Sequence, residues 1–576
     1  MTSFYRPSAA RRIPAALAPT LSRRSFLALA SSILACQETQ PRTDGASLED
    51  SAIDTPARQR PAIDHRRRRA VRPRLTVSIA PLPPTLHRQA ERWVARLRRS
   101  IPTHWDLVCT ATGQGLFRLF ATHGNPEHPV VGGRSFVPVT SHDNLAPGLS
   151  RAELGALLAG AIENWRALGH PENLTVHRAS FEFDGFRLPV PHARYRDVGS
   201  LGRTIEPGFF ALVEPHAVEP RLRVLAIEGV DPFRAPRGAP VAPELVEWLV
   251  VEGPLELLPE SGRRAEAIPA PVYGTITFVG DIILGRTVHR IMSTRSDWAS
   301  PFRLVAEELR WSDLTIGNLE CALTDRYAAP SDPHTLRFLT LPRAVEGLQL
   351  AGIDAVSLAN NHSLDFGWLA LEDTRRTLDG VGIRTFGVGD YLEEALDPVF
   401  LHAGTALVAL LGFDGIAADW SGATERSPGT APLRPEQVEK AVRAARQRAD
   451  IVIPFMHWGT EYTLVPNELQ RAVARLAIDA GATLVVGSHP HWVQGVEWYR
   501  GCPIFYSLGN FVFDQEWSPE TKQGLILHLW FRGSTLVRYE LVPVVIEDFH
   551  RPRIATEDER RVILERVRRS SRALAP

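Results

Sequence analysis

Lysine is nearly absent: of 65 basic residues only Lys440 and Lys522 are not arginine. No single site could need such a bias, so it reads as a codon or habitat preference. Cysteine is scarce as well, and four are too few for a disulfide scaffold. Neither sign of charge is in excess, with 65 basic against 65 acidic residues. That balance argues against a nucleic-acid binder, which carries a basic excess or face. No apolar run is long enough to span a bilayer as a helix. What is present is ordinary for a folded chain: 44% hydrophobic and 23% charged residues exclude a wholly disordered protein. At ~100–200 residues per domain, 576 residues predict more than one domain.

Residues 1–24 hold five arginines and no acid. Ser22-Arg23-Arg24-Ser25-Phe26-Leu27 then leads into a short apolar run ending Ile33-Leu34-Ala35-Cys36. A charged leader before a short apolar core fits an export signal. The arginine pair before Phe-Leu resembles a twin-arginine signal, and the run's end resembles a lipoprotein cleavage box. Residues 1–36 are therefore expected to export the chain and to leave Cys36 as its lipidated, membrane-anchoring first residue. An ordinary secretory signal with a chance cysteine is the plainer alternative. Residues 37–74 read as a disordered linker with a reach on the order of 35 Å. Its His65-Arg66-Arg67-Arg68-Arg69 run is a solvated tether or a contact for anionic head groups.

A first folded region spans 75–255. Leu75–Ala80 reads as a strand, Thr85–Ser100 as an amphipathic helix and Phe136–Thr140 as another strand. Ser150 with Glu153 forms a capping box for a helix through Leu158. Alternating strands and helices predict an α/β domain. The string from Phe136 to Gly169, with Leu-Ser-x-x-Glu-Leu and Asn-Trp-x-x-Leu-Gly, resembles the phosphate-type periplasmic solute-binding proteins. The resemblance implies a small, degenerate solute-binding-like domain.

A second region spans 272–548. Thr275–Val279 is an apolar run ending in Gly280-Asp281. Leu314–Ile316 leads to Asn318 and Glu320, Ala355–Ala359 to Asn360-Asn361-His362, and Ile451–Phe455 to His457. Leu484–Val486 leads to Gly487-Ser488-His489-Pro490-His491. Open α/β sheets bind ligands at the carboxyl ends of their strands. Five buried strands, each ending in metal-capable side chains, predict a layered α/β domain whose loops converge on one rim. Pro435–Arg448 and Glu468–Ala480 are the helices between.

The strings Gly280–Arg286, Asn318-Leu-Glu320, Leu358–Gly367, His457–Tyr462, Gly487–His491 and Ser507–Phe511 resemble the CapA family of poly-γ-glutamate capsule biosynthesis proteins. More distantly they resemble the calcineurin-like metallophosphoesterases. Ile283 and Asn318 stand where that superfamily carries a His and an Asp. The donor types suit one or two Mn, Fe or Zn ions, with Asp281, Glu320, Asn361, His457, His489 and His491 as ligands. By resemblance His362 is the general acid. Asp365 either orients His362 or caps a helix. Arg286 either holds an anionic substrate or makes a salt bridge, and Asn510, in the Ser507–Asn510 turn that closes the site, is a second candidate substrate contact. Asn318 and Asn360 read as backbone-bonding turn residues, and Trp458, Tyr462 and Trp492 as rim packing. Residues 549–576 read as a basic, solvated helical tail with Glu557 facing Arg561.

The resemblance implies a metal-dependent hydrolase or transferase in synthesis, release or attachment of an anionic polymer. Its substrate would be that polymer or a phosphorylated or amide compound, with a membrane capsule synthase as a possible partner. A non-catalytic surface scaffold and a solute-binding receptor are the alternatives.

Overall fold

The computed structural model describes residues 74–100, 106–110, 117–123, 126, 129–181, 191, 193–196, 198, 201, 205–234, 245–252, 272–332 and 334–574. The leader with Cys36, the linker up to 73 and the 268–271 boundary lie outside the described residues. No helix among the described residues is long and apolar enough to cross a membrane.

Contacts divide the chain into two units: Met1–Ser135 with Pro240–Pro269, and Phe136–Ala239 with Ala270–Pro576. The 75–255 stretch therefore contributes to both. The reason is non-local pairing. Val246–Glu252 returns to lie antiparallel between Phe117–His123 and Val130–Ser135, while Arg74–Ile79 runs parallel to Asp106–Thr110 and Phe117–His123. In this smaller unit the helix Pro84–Ser100 buries Leu86, Ala90, Trp93 and Leu97 against Phe117, Leu119, Leu249 and Val251. Those helix positions recur on one face of a 3.6-residue repeat.

In the larger unit, Phe136–Ala239 forms a five-stranded sheet with Phe209–Val213 between His177–Phe181 and Val137–Ser141. Helix Arg151–Leu158 carries the expected capping box of Ser150 and Glu153. The rest is four layers. One sheet runs in the order Arg384–Phe386, Ala355–Ser357, Leu314–Leu319, Gly274–Ile282, Gln523–Arg532, Thr535–Glu547, Arg551–Ile554. Its first four strands are parallel. The second runs Val399–Ala403, Ala406–Asp414, Ile451–His457, Val485–Ser488, Cys502–Phe505, Val496–Tyr499. Its middle four are parallel.

The two sheets share one apolar core in which Phe278 meets Phe455 edge-on at 5.5 Å. Each such fully buried ring contributes about 1.5–3 kcal/mol by leaving water. Helices Arg286–Arg295 and Trp368–Asp379 cover the outer face of the first sheet, and Pro435–Arg446 and Glu468–Asp479 that of the second. Strands buried on both faces explain the unbroken apolar runs of the sequence.

The expected solvated tail is corrected. Arg551–Ile554 is a strand on Thr535–Glu547, and helix Glu557–Ala573 buries Ile563 and Val567 in the core between the sheets. Ser570 Oγ accepts from the Gly495 N–H at 2.8 Å and donates to the Leu464 carbonyl at 2.7 Å. Glu557 pairs with Arg560, not Arg561. The dense arginines of this segment hide an apolar pair four residues apart.

Asp231, from the Phe136–Ala239 segment, accepts from both Nη atoms of Arg538 at 2.8 and 2.6 Å. Burial raises the Asp231 pKa, but Arg538 outweighs it and the net shift is downward. Asp231→Ala leaves the buried Arg538 with Glu540, 3.2 Å from its Nη2, as its remaining carboxylate and should cost about 3 kcal/mol near neutrality, the low end for a broken buried pair. A depressed folded pKa means that the stabilisation is complete above the unfolded value of ~3.9 and is lost as pH falls through the folded one. Urea melts at neutral and at strongly acidic pH should therefore show the gap between wild type and variant closing in acid. An equal gap at both would assign the loss to packing instead.

Candidate metal centre

The carboxyl ends of strands from both sheets meet at one place. Asp281 and Glu320 are there, both fully buried. Asn318 joins them. Its Nδ2 donates to Asp281 Oδ1 at 2.8 Å and to Glu320 Oε2 at 3.3 Å, and its Oδ1 accepts from Asn360 Nδ2 at 3.0 Å. Asn360 also donates to the Leu319 carbonyl at 2.9 Å, so it does the backbone work expected of it. Asn318 does not: its side chain is the hub of the acidic half of the site.

His457, the last residue of its strand, brings the second sheet in. Its Nε2 lies 2.7 Å from Asn361 Oδ1 and 3.5 Å from Glu320 Oε1, and Ser488 Oγ is 3.1 Å from its Nδ1. Burial works against a charged ring, yet Glu320 and then Asp281 raise the His457 pKa.

His489 and His491 sit in a strained turn at φ 92° and 57°. Non-glycine residues in that region persist only where their surroundings over-determine them, and they cluster at functional sites. The Tyr462 N–H, donating to the Pro490 carbonyl at 2.8 Å, holds the turn from outside. His491 Nδ1 lies 2.8 Å from Asn510 Oδ1 and 3.2 Å from Asp281 Oδ2. Burial opposes its protonation, but the Asp281 hydrogen bond and Glu320 push its pKa up to about 9. His489 goes the other way. Burial, then the fields of His457 and His491, hold it far below the usual imidazole range.

Gly280 makes the assembly possible. A Cβ there would stand 1.9 Å from the Gly509 carbonyl oxygen. Only glycine allows the 509 turn to come so close and set Asn510 beside Asp281 in register.

His362 flanks the cluster. Its Nδ1 is 2.9 Å from Asp365 Oδ2, and its Nε2 faces Glu320 Oε1 at 3.9 Å. Asp365 thus orients the imidazole, and it also accepts from the Phe338 N–H at 2.7 Å.

The expected residues converge: Asp281, Glu320, His457, His489 and His491 form one buried group with the half-buried Asn361, and His362 and Asp365 stand at its edge. Of the two residues considered for substrate, Arg286 takes its salt-bridge alternative with Asp514, through Nε at 3.1 Å and a second, shorter contact through Nη2. Asn510 sets its Oδ1 against His491 Nδ1 and donates from Nδ2 to the Thr521 carbonyl. Trp458 is buried in the helix-covered core behind the rim, its indole donating to the Tyr506 carbonyl at 3.0 Å. Ile283 is wholly apolar core.

The residues fit a cation. Glu320, His489 and His491 each offer a ligand atom within 4.8 Å of the others, and so do Asp281, Glu320 and His457. The two sets share Glu320. His489 Nδ1 and Glu320 Oε1 are buried with no hydrogen-bond partner. Each such orphan costs about 1–3 kcal/mol unless something satisfies it. The protons that balance the carboxylates on His457 and His491 are also those that metal binding would release.

Sequence reasoning missed Asp414. It ends a sixth strand, Ala406–Asp414, opposite His457, and its carboxylate accepts from the N–H groups of Ile416 and Ala417 at 2.9 and 3.0 Å. The signal was there: Leu-Leu-Gly-Phe-Asp-Gly repeats the pattern of an apolar run ending in Asp.

A family model described as bacterial capsule synthesis protein PGA_cap matches residues 275–515. PGA biosynthesis protein CapA of Bacillus subtilis (strain 168) is 33% identical over 273 residues, 47% of this chain and 71% of that one. Capsule biosynthesis protein CapA of Bacillus anthracis is 33% identical over 298 residues, 50% of this chain and 72% of that one. Among solved structures, the calcineurin-like phosphoesterase YfkN from Bacillus subtilis aligns with 52% of this chain and 100% of its own at 12% identity. Its TM-score of 0.31 carries no argument.

Proposed function

The chain belongs to the PGA_cap family of bacterial capsule synthesis proteins, and we propose that its buried His-carboxylate cluster is a metal-dependent hydrolase or transferase centre acting on an anionic capsule polymer. The reaction would serve synthesis, release or attachment of that polymer. One observation carries the reading: two orphaned donor atoms, on His489 and Glu320, buried among further carboxylates and imidazoles.

Asp281, Glu320, Asn361, His457, His489 and His491 would hold one or two ions of the Mn, Fe or Zn type. A divalent cation, when bound, supplies Lewis-acid polarisation of the attacked acyl or phosphoryl group. Asn318 keeps Asp281 and Glu320 in place, and Asn510 keeps His491. His362 gives a proton to the leaving group from Nε2, and Asp365 holds the ring in the orientation that this needs.

The test is turnover of γ-linked polyglutamate and of a nitrophenyl phosphodiester by the metal-replete chain, before and after chelation. Chelator-sensitive cleavage of either supports the reading. Bound metal with no turnover of either would make the protein a polymer-binding scaffold.

We also propose export and a lipid anchor on Cys36, as the Arg23-Arg24 and Leu34-Ala35-Cys36 strings suggest. Cys36→Ser should then move the protein from the membrane to the soluble fraction, since no described helix crosses a membrane. Retention in membranes would place the anchor in an uncleaved leader or in the Arg66–Arg69 run.

A further inference from the structure

A cavity of about 1890 Å³ lies in the larger unit, and none of the candidate metal ligands lines it. Its walls come from 141–150 and 221–234, from Arg475 and 496–501, from the strand Thr535–Glu547 and from the helix Glu557–Ala573. They carry nine arginines against six carboxylates. Most of those arginines are matched, as Arg538 is to Asp231. Arg223 is not. Its Nη1 donates to the Asn144 carbonyl at 2.5 Å and its Nη2 to the Pro147 carbonyl at 3.2 Å. Backbone carbonyls hold a guanidinium in place without neutralising it. No carboxylate among the described residues stands at ion-pair distance from it.

Burial dominates the electrostatics around this guanidinium. Desolvation, then the field of Arg560, lower the Arg223 pKa to about 9 against the opposing pull of Glu540 and Glu557. His142, stacked on Tyr539 at 4.1 Å, is pushed down to about 3 by burial and then by Arg223. A desolvated cation with no carboxylate at ion-pair distance is costly alone and is relieved by an anion. Guanidinium is also the group that meets carboxylate in a two-pronged fit.

We propose that this cleft is a second binding site, for an amide-linked oligomer of acidic residues, with Arg223 as its anchoring cation. Size excludes a single small anion, since pockets for small molecules occupy about 300–1,000 Å³. Chemistry argues against a nucleic acid. The interleaved carboxylates accept hydrogen bonds from the N–H groups of an amide backbone, donors that a phosphodiester backbone lacks. The cleft would hold a polymer segment independently of the metal centre, and only the choice of γ-glutamate as probe rests on the family reading.

The probe is a fluorescein-labelled γ-linked decaglutamate, titrated by anisotropy into the full chain in excess chelator, where the metal centre does not turn it over. Wild type should bind it, and more weakly as salt rises. Arg223→Met should raise Kd by about tenfold or more, with metal content and melting temperature at wild-type values. Arg572→Glu, on an exposed position of the cleft wall, should weaken binding without threatening the fold. Arg443→Glu, on an exposed position of Pro435–Arg446 outside the cleft, should bind the probe as wild type does. Unchanged affinity in both cleft variants overturns the proposal. So does equal weakening in Arg443→Glu, which would make the binding a general charge effect. Displacement of the probe by equimolar inorganic phosphate would overturn it too, by making the cleft a phosphate site.

Discussion

His489→Ala should strip metal from the protein, and in chelator it should melt at or above the wild-type temperature. The two halves have different causes. With metal present, His489 is a ligand whose loss weakens binding, so the variant loses the linkage stabilisation. That amounts to about 2.7 kcal/mol when free metal is a hundred times Kd. In chelator the wild-type imidazole is a burden. It is buried, neutral and unbonded at Nδ1, and removing an unsatisfied buried atom recovers about 1–3 kcal/mol. The backbone strain at φ 92° is common to both proteins. The melting curves should therefore cross on going from metal to chelator.

Asp281→Ala gives the contrast. It removes the acceptor for Asn318 and His491 and should destabilise with or without metal. Metal per chain and paired melts decide the matter. Identical chelator responses for wild type and His489→Ala would remove His489 from the ligand set. A pH series adds a sign. Protons compete for the imidazoles, and His491 holds its own up to about 9. Apparent metal affinity should rise with pH through neutrality and level near that value.

The strand ends were legible because each is a short apolar run closed by a polar cluster, and burial on both faces leaves no other reading of such a run. The capping box of Ser150 and Glu153 was legible because it is a local pattern. What could not be read is which side chains face one another. Asn318 looks like a turn residue in the string Ile-Gly-Asn-Leu, and only the approach of two sheets makes it the hub between Asp281, Glu320 and His457. Arg286 and Asp514 are more than two hundred residues apart, so their pairing left no trace in spacing. The Glu557–Ala573 helix misled for another reason. Its charge is real, but Ile563 and Val567 suffice to bury one stripe of it.

His362→Ala should cut turnover by about 10²–10⁴ while leaving metal content near wild type. The positional argument rests on Asn361 and His362 being neighbours with different partners. Asn361 Oδ1 turns to His457 Nε2, into the cluster. His362 is tied by Nδ1 to Asp365 and packs its ring 4.3 Å from Phe338, with only Nε2 directed at the site. The carboxylate on Nδ1 fixes the ring so that Nε2 is the nitrogen turned toward a departing oxygen or nitrogen. The loss should therefore depend on the leaving group. An alkoxide or amine needs the proton and should show the full effect, whereas nitrophenolate leaves without one and should show little. Asp365→Asn should follow the same pattern more weakly, because it keeps the ring in place and removes only the charge. If His362→Ala sheds metal, the residue is a ligand. If the loss is the same for both leaving groups, His362 positions substrate and the proton comes from elsewhere.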